Sequence, residues 1–144
     1  MVWNIITVGK PAIPWAKAGA EDYLARLARH QRVEWTVIKE GPLVTRKMLE
    51  ASEDSLRVIL DEHGVTRTSK QLANWIEQQE LASCKRVSLL IGGADGHSTE
   101  LKAQILERWA LSSFTLQHEV ALVILLEQVY RAYSILRGEP YHRE

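Results

Sequence analysis

This sequence predicts an α/β fold with a mainly parallel sheet. Short apolar runs alternate along the chain with segments whose apolar residues recur at helical spacing, and Gly or Pro punctuates the junctions. Strands that alternate with helices place the helices as crossovers between parallel strands. The 144 residues suit one domain, 1–144, with a real hydrophobic core, and no repeat, low-complexity tract or linker divides them.

The elements follow in order. "VWNIITV" (2–8) reads as a buried strand ended by Gly9, Pro11 and Pro14. From Trp15 to about Arg29, the residues Trp15, Ala18, Tyr23, Leu24, Leu27 and Ala28 recur at helical spacing. "VEWTVI" (33–38) is a second strand, and Gly41 and Pro42 lead from it into a short helix at 44–52. "LRVILDE" (56–62) is a third strand that Gly64 closes. Thr68 or Ser69 caps a helix carrying Leu72, Ala73, Ile76 and Leu81. "RVSLLIG" (86–92) is a fourth strand with "GGADG" as its turn, and Ser98 opens a helix through Leu101, Ile105 and Leu106. "LSSFTL" (111–116) reads as a fifth strand, and a long helix runs from His118 to about Leu136.

In that last helix, "VALVILL" (120–126) is apolar on every side. A helix of this kind is buried all round, and one face on a sheet cannot bury it. A second subunit is the simplest cover, so a homodimer is expected with this helix at its interface.

Composition narrows the function. Lys plus Arg and Asp plus Glu both total 18, giving zero net charge, whereas free-standing nucleic-acid binders are usually basic. The balance is uneven: residues 1–50 hold 8 basic and 5 acidic residues, and Arg26, Arg29, His30 and Arg32 cluster. That cluster serves either a helix C-terminus or RNA. The apolar run at 120–126 is far too short to span a membrane, so no membrane partner is expected. No signal peptide is evident, and a single cysteine, Cys84, fits a reducing, cytoplasmic setting.

The strongest local signal is "LLIGGADGHS", where a buried strand runs into two glycines. Adjacent glycines let a ligand approach the backbone, and ligands of open α/β sheets sit at the carboxyl ends of strands. The spacing fits neither G-x-G-x-x-G nor a P-loop. No G-x-S-x-G is present, and the five histidines are scattered without metal-ligand spacing, so no metal is expected. Asp61 and Glu62 are either functional acids or a solvated strand end. Glu127 needs a partner in its apolar helix, and Arg131 stands four residues on. The tail "RGEPYHRE" puts Gly138 and Pro140 before Tyr141, His142 and Arg143, an unusual ending for a frayed terminus.

"LLIGGADG", "LSSFTL" followed by "QH", and the closing "LLEQVYRAYSILRGEPYHRE" together resemble the ribosomal large-subunit pseudouridine methyltransferase H family of the SPOUT superfamily. "IITVGK" and "EDYLARL" agree, and the resemblance spans nearly the whole chain. It implies an α/β trefoil-knotted, homodimeric enzyme that uses S-adenosylmethionine to methylate N3 of a pseudouridine in 23S rRNA of the assembled ribosome. It implies cofactor contacts at Leu60, at Gly92 and Gly93, and along Leu111, Ser112, Ser113, Phe114, Thr115 and Leu116. Tyr141, His142 and Arg143 of one subunit are expected to hold the target base at the other subunit's site. His142 or a carboxylate would take the N3 proton, and Arg143 would hold a phosphate or oxyanion. The chain departs from the family's pattern at Gln117, where Pro is usual, at Leu122, where Arg is usual, and at His97, where an apolar residue is common. It is also shorter before the third strand. These departures keep a second reading open, a non-catalytic ribosome-associated dimer with the same fold. A small-molecule α/β enzyme with another nucleotide cofactor lacks a fitting phosphate motif.

Overall fold

The computed structural model describes residues 1–141. Its elements are β1 (Val2–Val8), α1 (Pro14–Ala28), β2 (Arg32–Ile38), α2 (Val44–Ala51), β3 (Leu56–Thr66), α3 (Ser69–Leu81), β4 (Arg86–Ile91), α4 (Thr99–Gln104), β5 (Arg108–Ala110) and α5 (His118–Leu136). The five strands form one sheet in the order β2-β1-β4-β3-β5, and every pairing is parallel.

Both faces of the sheet are covered, which is why β1 and β4 are apolar almost without alternation. Trp3, Ile5, Val58, Val87 and Leu89 point into a core shared with α1, α3 and α5. The intervening Ile6, Ile59 and Leu90 point the other way, onto Met48 of α2 and Leu101 of α4. Trp3 lies fully buried, and its indole N–H donates to the Tyr133 hydroxyl at 2.8 Å. That bond spares a buried polar tip the cost of an unmade hydrogen bond.

Local chemistry sets the helix ends. Thr68 and Gln71 form a reciprocal capping box at α3, and the Ser98 hydroxyl accepts from Leu101 N–H at α4. Gln117, one of the departures noted in the sequence, caps α5 with its side-chain oxygen, which accepts from Glu119 and Val120 N–H at 2.7 and 3.0 Å. The inward face of α1 is Ala16, Ala20 and Leu27, while Trp15 is 63% exposed.

Three expectations need correction. The fifth strand is Arg108–Ala110, not 111–116, and the helix before it stops at Gln104. Residues 111–116 form a loop in which the Ser112 hydroxyl accepts from Phe114 N–H at 2.9 Å, a local turn that competes with extension. Gly64 does not close β3, which runs on to Thr66 through a register shift between Leu60 and Val65. Its role is close approach: a Cβ there would lie 2.6 Å from the carbonyl carbon and oxygen of Arg108.

The apolar girdle of α5 is largely covered within the chain, because α5 packs between α1 and α3 as well as on the sheet. Ala121, Leu122, Leu125 and Leu126 are buried, and Val123 meets Gly19 of α1, while Val120 and Ile124 remain half-buried. Among the described residues, no helix is long and apolar enough to cross a membrane.

Candidate active site

Connections leave β1 and β4 in opposite directions, α1 toward β2 at one edge and α4 toward β5 at the other. Such a switch point opens a crevice beyond the carboxyl ends of the strands. There the structure has a cavity of about 620 Å³, within the range that holds a cofactor-sized ligand. Three segments wall it: the end of β3, the turn after β4, and the loop before α5.

The β4 turn depends on its glycines. Gly96 adopts φ +71°, a left-handed conformation natural to glycine, and its N–H donates to the Gly93 carbonyl at 3.0 Å. A Cβ on Gly92 would stand 2.8 Å from the Gly96 carbonyl carbon. The space beside Gly92 is therefore filled by backbone, and the turn curls tightly over the strand end. At Gly93 a Cβ would meet only the Glu40 carboxylate oxygen at 3.2 Å and Val8 at 3.5 Å.

Leu60, Gly92, Gly93, Leu111, Ser112, Phe114, Thr115 and Leu116 all line this cavity; Ser113 does not. Sequence reasoning missed Ala94, Asp95, Lys102, Trp109 and His118, which also line the wall. Most of them follow from taking the whole "GGADG" turn, and the loop beyond a correctly placed β5, as one site. Phe114 is 79% exposed at the rim. Thr115 donates to the Glu62 carboxylate at 2.8 Å, tying the 111–116 loop to the end of β3.

Asp61 and Glu62 have different surroundings. Asp61 is buried, accepts from His63 N–H at 3.1 Å and lies 3.8 Å from the Arg108 guanidinium; Glu62 is exposed. His97 reaches inward, and its Nε2 is 3.0 Å from the Leu90 carbonyl. A carbonyl only accepts, so Nε2 carries the hydrogen. Burial pushes the His97 pKa down, against the raising effect of that bond. The lining holds three carboxylates, Asp61, Glu62 and Asp95, against one ammonium, Lys102.

Behind this wall, Glu119 is a buried carboxylate that sequence reasoning did not single out. It accepts from Ile13 N–H at 2.9 Å and pins the loop after β1 to the start of α5. Leu122, where Arg is usual in the family, is 2% exposed and joins the core as well as a small hollow between Gly9 and Gly92.

The tail lies elsewhere. Tyr141 donates to the Glu127 carboxylate at 2.7 Å, and the Tyr23 hydroxyl is 3.0 Å from that of Tyr141. The single Tyr141 hydrogen goes to the carboxylate, so Tyr23 is the donor between the two hydroxyls. Arg131 pairs with Glu127 at 2.9 Å, and Tyr130 meets the Tyr141 ring edge-on at 4.7 Å. Burial raises the Tyr141 pKa, with the Tyr23 and Glu127 hydrogen bonds adding to it, so this hydroxyl stays protonated. His142 and Arg143 lie outside the described residues. The cavity takes in His118 and Ala121 of α5, whereas Tyr141 packs on Glu127, Tyr130 and Arg131 in the middle of that helix, about 9–15 Å further along it. Tyr141 does not line the cavity of its own chain.

Comparison with known proteins agrees with this geometry. A family model described as predicted SPOUT methyltransferase matches residues 1–142. Ribosomal RNA large subunit methyltransferase H of Deinococcus radiodurans is 34% identical over 142 residues, covering 97% of each chain. Proteins of the same name from Thermus thermophilus and Methylibium petroleiphilum are 34% and 37% identical, again over 97% of each chain. Among solved structures, the tRNA (m1G37) methyltransferase from Aquifex aeolicus superposes with a TM-score of 0.59 at 16% identity, covering all of this chain and 75% of that one. A methyltransferase from Legionella pneumophila, solved with bound S-adenosylmethionine, gives 0.53 at 12% identity, covering 92% of this chain and 66% of that one. The chain belongs to the SPOUT methyltransferase family, with the ribosomal RNA large subunit methyltransferase H proteins as its relatives over nearly their whole length.

Proposed function

We propose that this protein is a homodimeric methyltransferase of the cytoplasm that transfers a methyl group from S-adenosylmethionine to N3 of a pseudouridine in 23S rRNA of the assembled ribosome. The observation that carries the reading is the glycine cradle at Gly92, set in a cavity at the sheet's switch point, in a chain whose near-full-length relatives are named as large-subunit rRNA methyltransferases.

The residues present fit the cofactor. Leu60, Leu111 and Leu116 offer apolar surface for an adenine, and the backbone of the tight turn at Gly92 and Gly93 lines the cavity. Three carboxylates against one ammonium suit a sulfonium cation. When bound, S-adenosylmethionine supplies an electrophilic methyl group, which leaves the chain to position the base and to receive the N3 proton. Positioning alone contributes several powers of ten. Leu111 to Leu116 close one side of the cavity, and the Thr115–Glu62 bond fixes that loop.

Tyr141, His142 and Arg143 are proposed to hold the target base from the partner subunit. Support comes from Tyr141, which packs on Glu127 and does not line the cavity of its own chain; the partner's cavity is the site proposed for it. As a protonated donor, Tyr141 orients rather than accepts a proton; His142 or a cavity carboxylate takes that role. A trefoil knot is part of the same reading: β5 lies at the sheet edge, yet α5 returns to the middle of the helical layer between α1 and α3.

The test is methyl transfer to purified large ribosomal subunits or whole ribosomes lacking the modification. N3 methylation blocks the Watson–Crick edge, so reverse transcription should halt beside one 23S pseudouridine after treatment. Transfer only to free RNA or to small subunits, or none with the cofactor bound, contradicts the proposal.

A further inference from the structure

At the opposite end of the sheet from the cavity, an open cleft of about 570 Å³ is lined by Arg29, His30, Gln31, Arg32, Ser83 and Lys85, with no acidic residue in its lining. Three separate segments supply these side chains: the end of α1, the start of β2, and the turn between α3 and β4. The helix dipole of α1 accounts for Arg26 and Arg29 near its C-terminus, but not for Arg32 or Lys85. Arg29, Arg32 and Lys85 are all exposed, and Arg29 and Lys85 have no ion-pair partner among the described residues. Arg32 is 3.4 Å from Glu34, a carboxylate that holds Arg86 more closely at 2.6 Å. Such exposed pairs are weak and readily exchanged. In a chain of zero net charge, a basic cleft with no acidic residue in its lining is a local feature and not a reflection of overall composition.

The cleft adjoins the tail. His30, one of its lining residues, stacks on Tyr130 with ring centroids 6.0 Å apart and lies 3.8 Å from Glu139. Tyr130 in turn packs against Tyr141. The basic cleft and the tail therefore form one continuous surface.

We propose that this cleft binds the phosphodiester backbone of rRNA, seating the strand next to the nucleotide that the tail presents. The inference rests on the methyltransferase reading above, which gives the tail its place beside the target base. Its chemistry is that of exposed guanidinium and ammonium groups facing phosphates, with Gln31 and Ser83 as neutral donors. Phosphate contacts of this sort fix register and strength rather than sequence, so the cleft contributes to affinity for the ribosome and leaves the choice of base to the tail.

The test uses the full-length protein and purified large ribosomal subunits, with binding measured across a salt series. A cleft variant (Arg29→Gln, Arg32→Gln, Lys85→Gln) is compared with a control of equal charge change on α2 and its approach (Lys39→Gln, Arg46→Gln, Lys47→Gln). Calorimetric titration with S-adenosylmethionine checks that both variants keep their fold and cavity. Loss of three phosphate contacts should lower the slope of log affinity against log salt by about 2 to 3, and lower affinity at 0.1 M salt by about a hundredfold, with the control near native. A cleft variant that matches the control overturns the proposal while methylation by the native protein stands. Affinity lost equally at every salt, with an unchanged slope, assigns the cleft to a ribosomal protein and also overturns it. A native protein that neither binds nor methylates large subunits overturns the function and the cleft together.

Discussion

Replacing Gly92 by Ala adds one methyl group where the structure has no room for it. The new carbon would lie 2.8 Å from the Gly96 carbonyl carbon, 3.0 Å from its oxygen and 3.1 Å from its Cα. Ordinary contact between carbon atoms is about 3.5–4.0 Å, so backbone must yield. That backbone is held by the Gly96 N–H bond to the Gly93 carbonyl and has no flexible side chain to absorb the shift. Overpacking of this kind costs about 1–3 kcal/mol, equivalent to about 5- to 150-fold in a binding constant. The turn is a wall of the cofactor cavity, so the loss should appear in calorimetric affinity for S-adenosylmethionine, with thermal unfolding recorded alongside. Gly93→Ala is the control for stability alone, because its backbone also lines the cofactor cavity. Its methyl group would meet the end of the exposed Glu40 side chain and ordinary contact with Val8, so its unfolding temperature should stay within about 2 °C of native. Native-like binding by Gly92→Ala, or equal falls in unfolding temperature in the two variants, would refute the reasoning from backbone crowding.

Three further outcomes are expected. Deleting Tyr141 to Glu144 should abolish methyl transfer to ribosomes while sedimentation still finds a folded dimer; normal transfer would leave the tail without a role. Gly64→Ala forces its Cβ to within 2.6 Å of the Arg108 backbone. It should cost about 3 kcal/mol and lower the unfolding temperature by about 10 °C, and a change near zero would show that β3 and β5 do not need the close approach. His97 has its pKa lowered in the fold by burial. The unfolded chain therefore binds more protons below the ordinary histidine value near 6.5, and stability falls as pH drops from about 6.5 through the lower folded value. Thermal unfolding of His97→Leu should lose that part of the pH dependence, and parallel native and variant curves between pH 5 and 7 would contradict the assignment.

The legible parts of the fold were those set by neighbours in sequence. Thr68 and Ser98 cap helices as their spacing implied, and the apolar strands β1 and β4 stand where their runs placed them. Placement failed where distant pairing decides. "LSSFTL" reads as a short strand, yet a Ser112 turn breaks it, while the unpromising "RWA" is extended because β3 pairs with it across a register shift. Gly64 carried the same ambiguity: a strand-ending glycine and one that admits another backbone look identical in sequence. At the site, the glycines and the 111–116 loop were within reach of strand-end reasoning joined to a family resemblance. Glu119 was not, because its partner, the Ile13 N–H, is more than a hundred residues away. Nor did the apolar girdle of α5 by itself require a partner, since α1 and α3 flank it.

The central claim is a site assembled from two subunits, the cavity of one and the tail of the other. Complementation tests it most directly. One protein carries Gly92→Val, which blocks the cavity and keeps the tail; the other lacks Tyr141 to Glu144 and keeps the cavity. Each alone should be inactive on ribosomes. Unfolded together and refolded, they should recover about a quarter of native activity, since half of a random mixture is mixed dimers with one intact site each. If the mixture stays as inactive as its components while the dimers exchange, cavity and tail do not meet across the dimer, and the account is wrong.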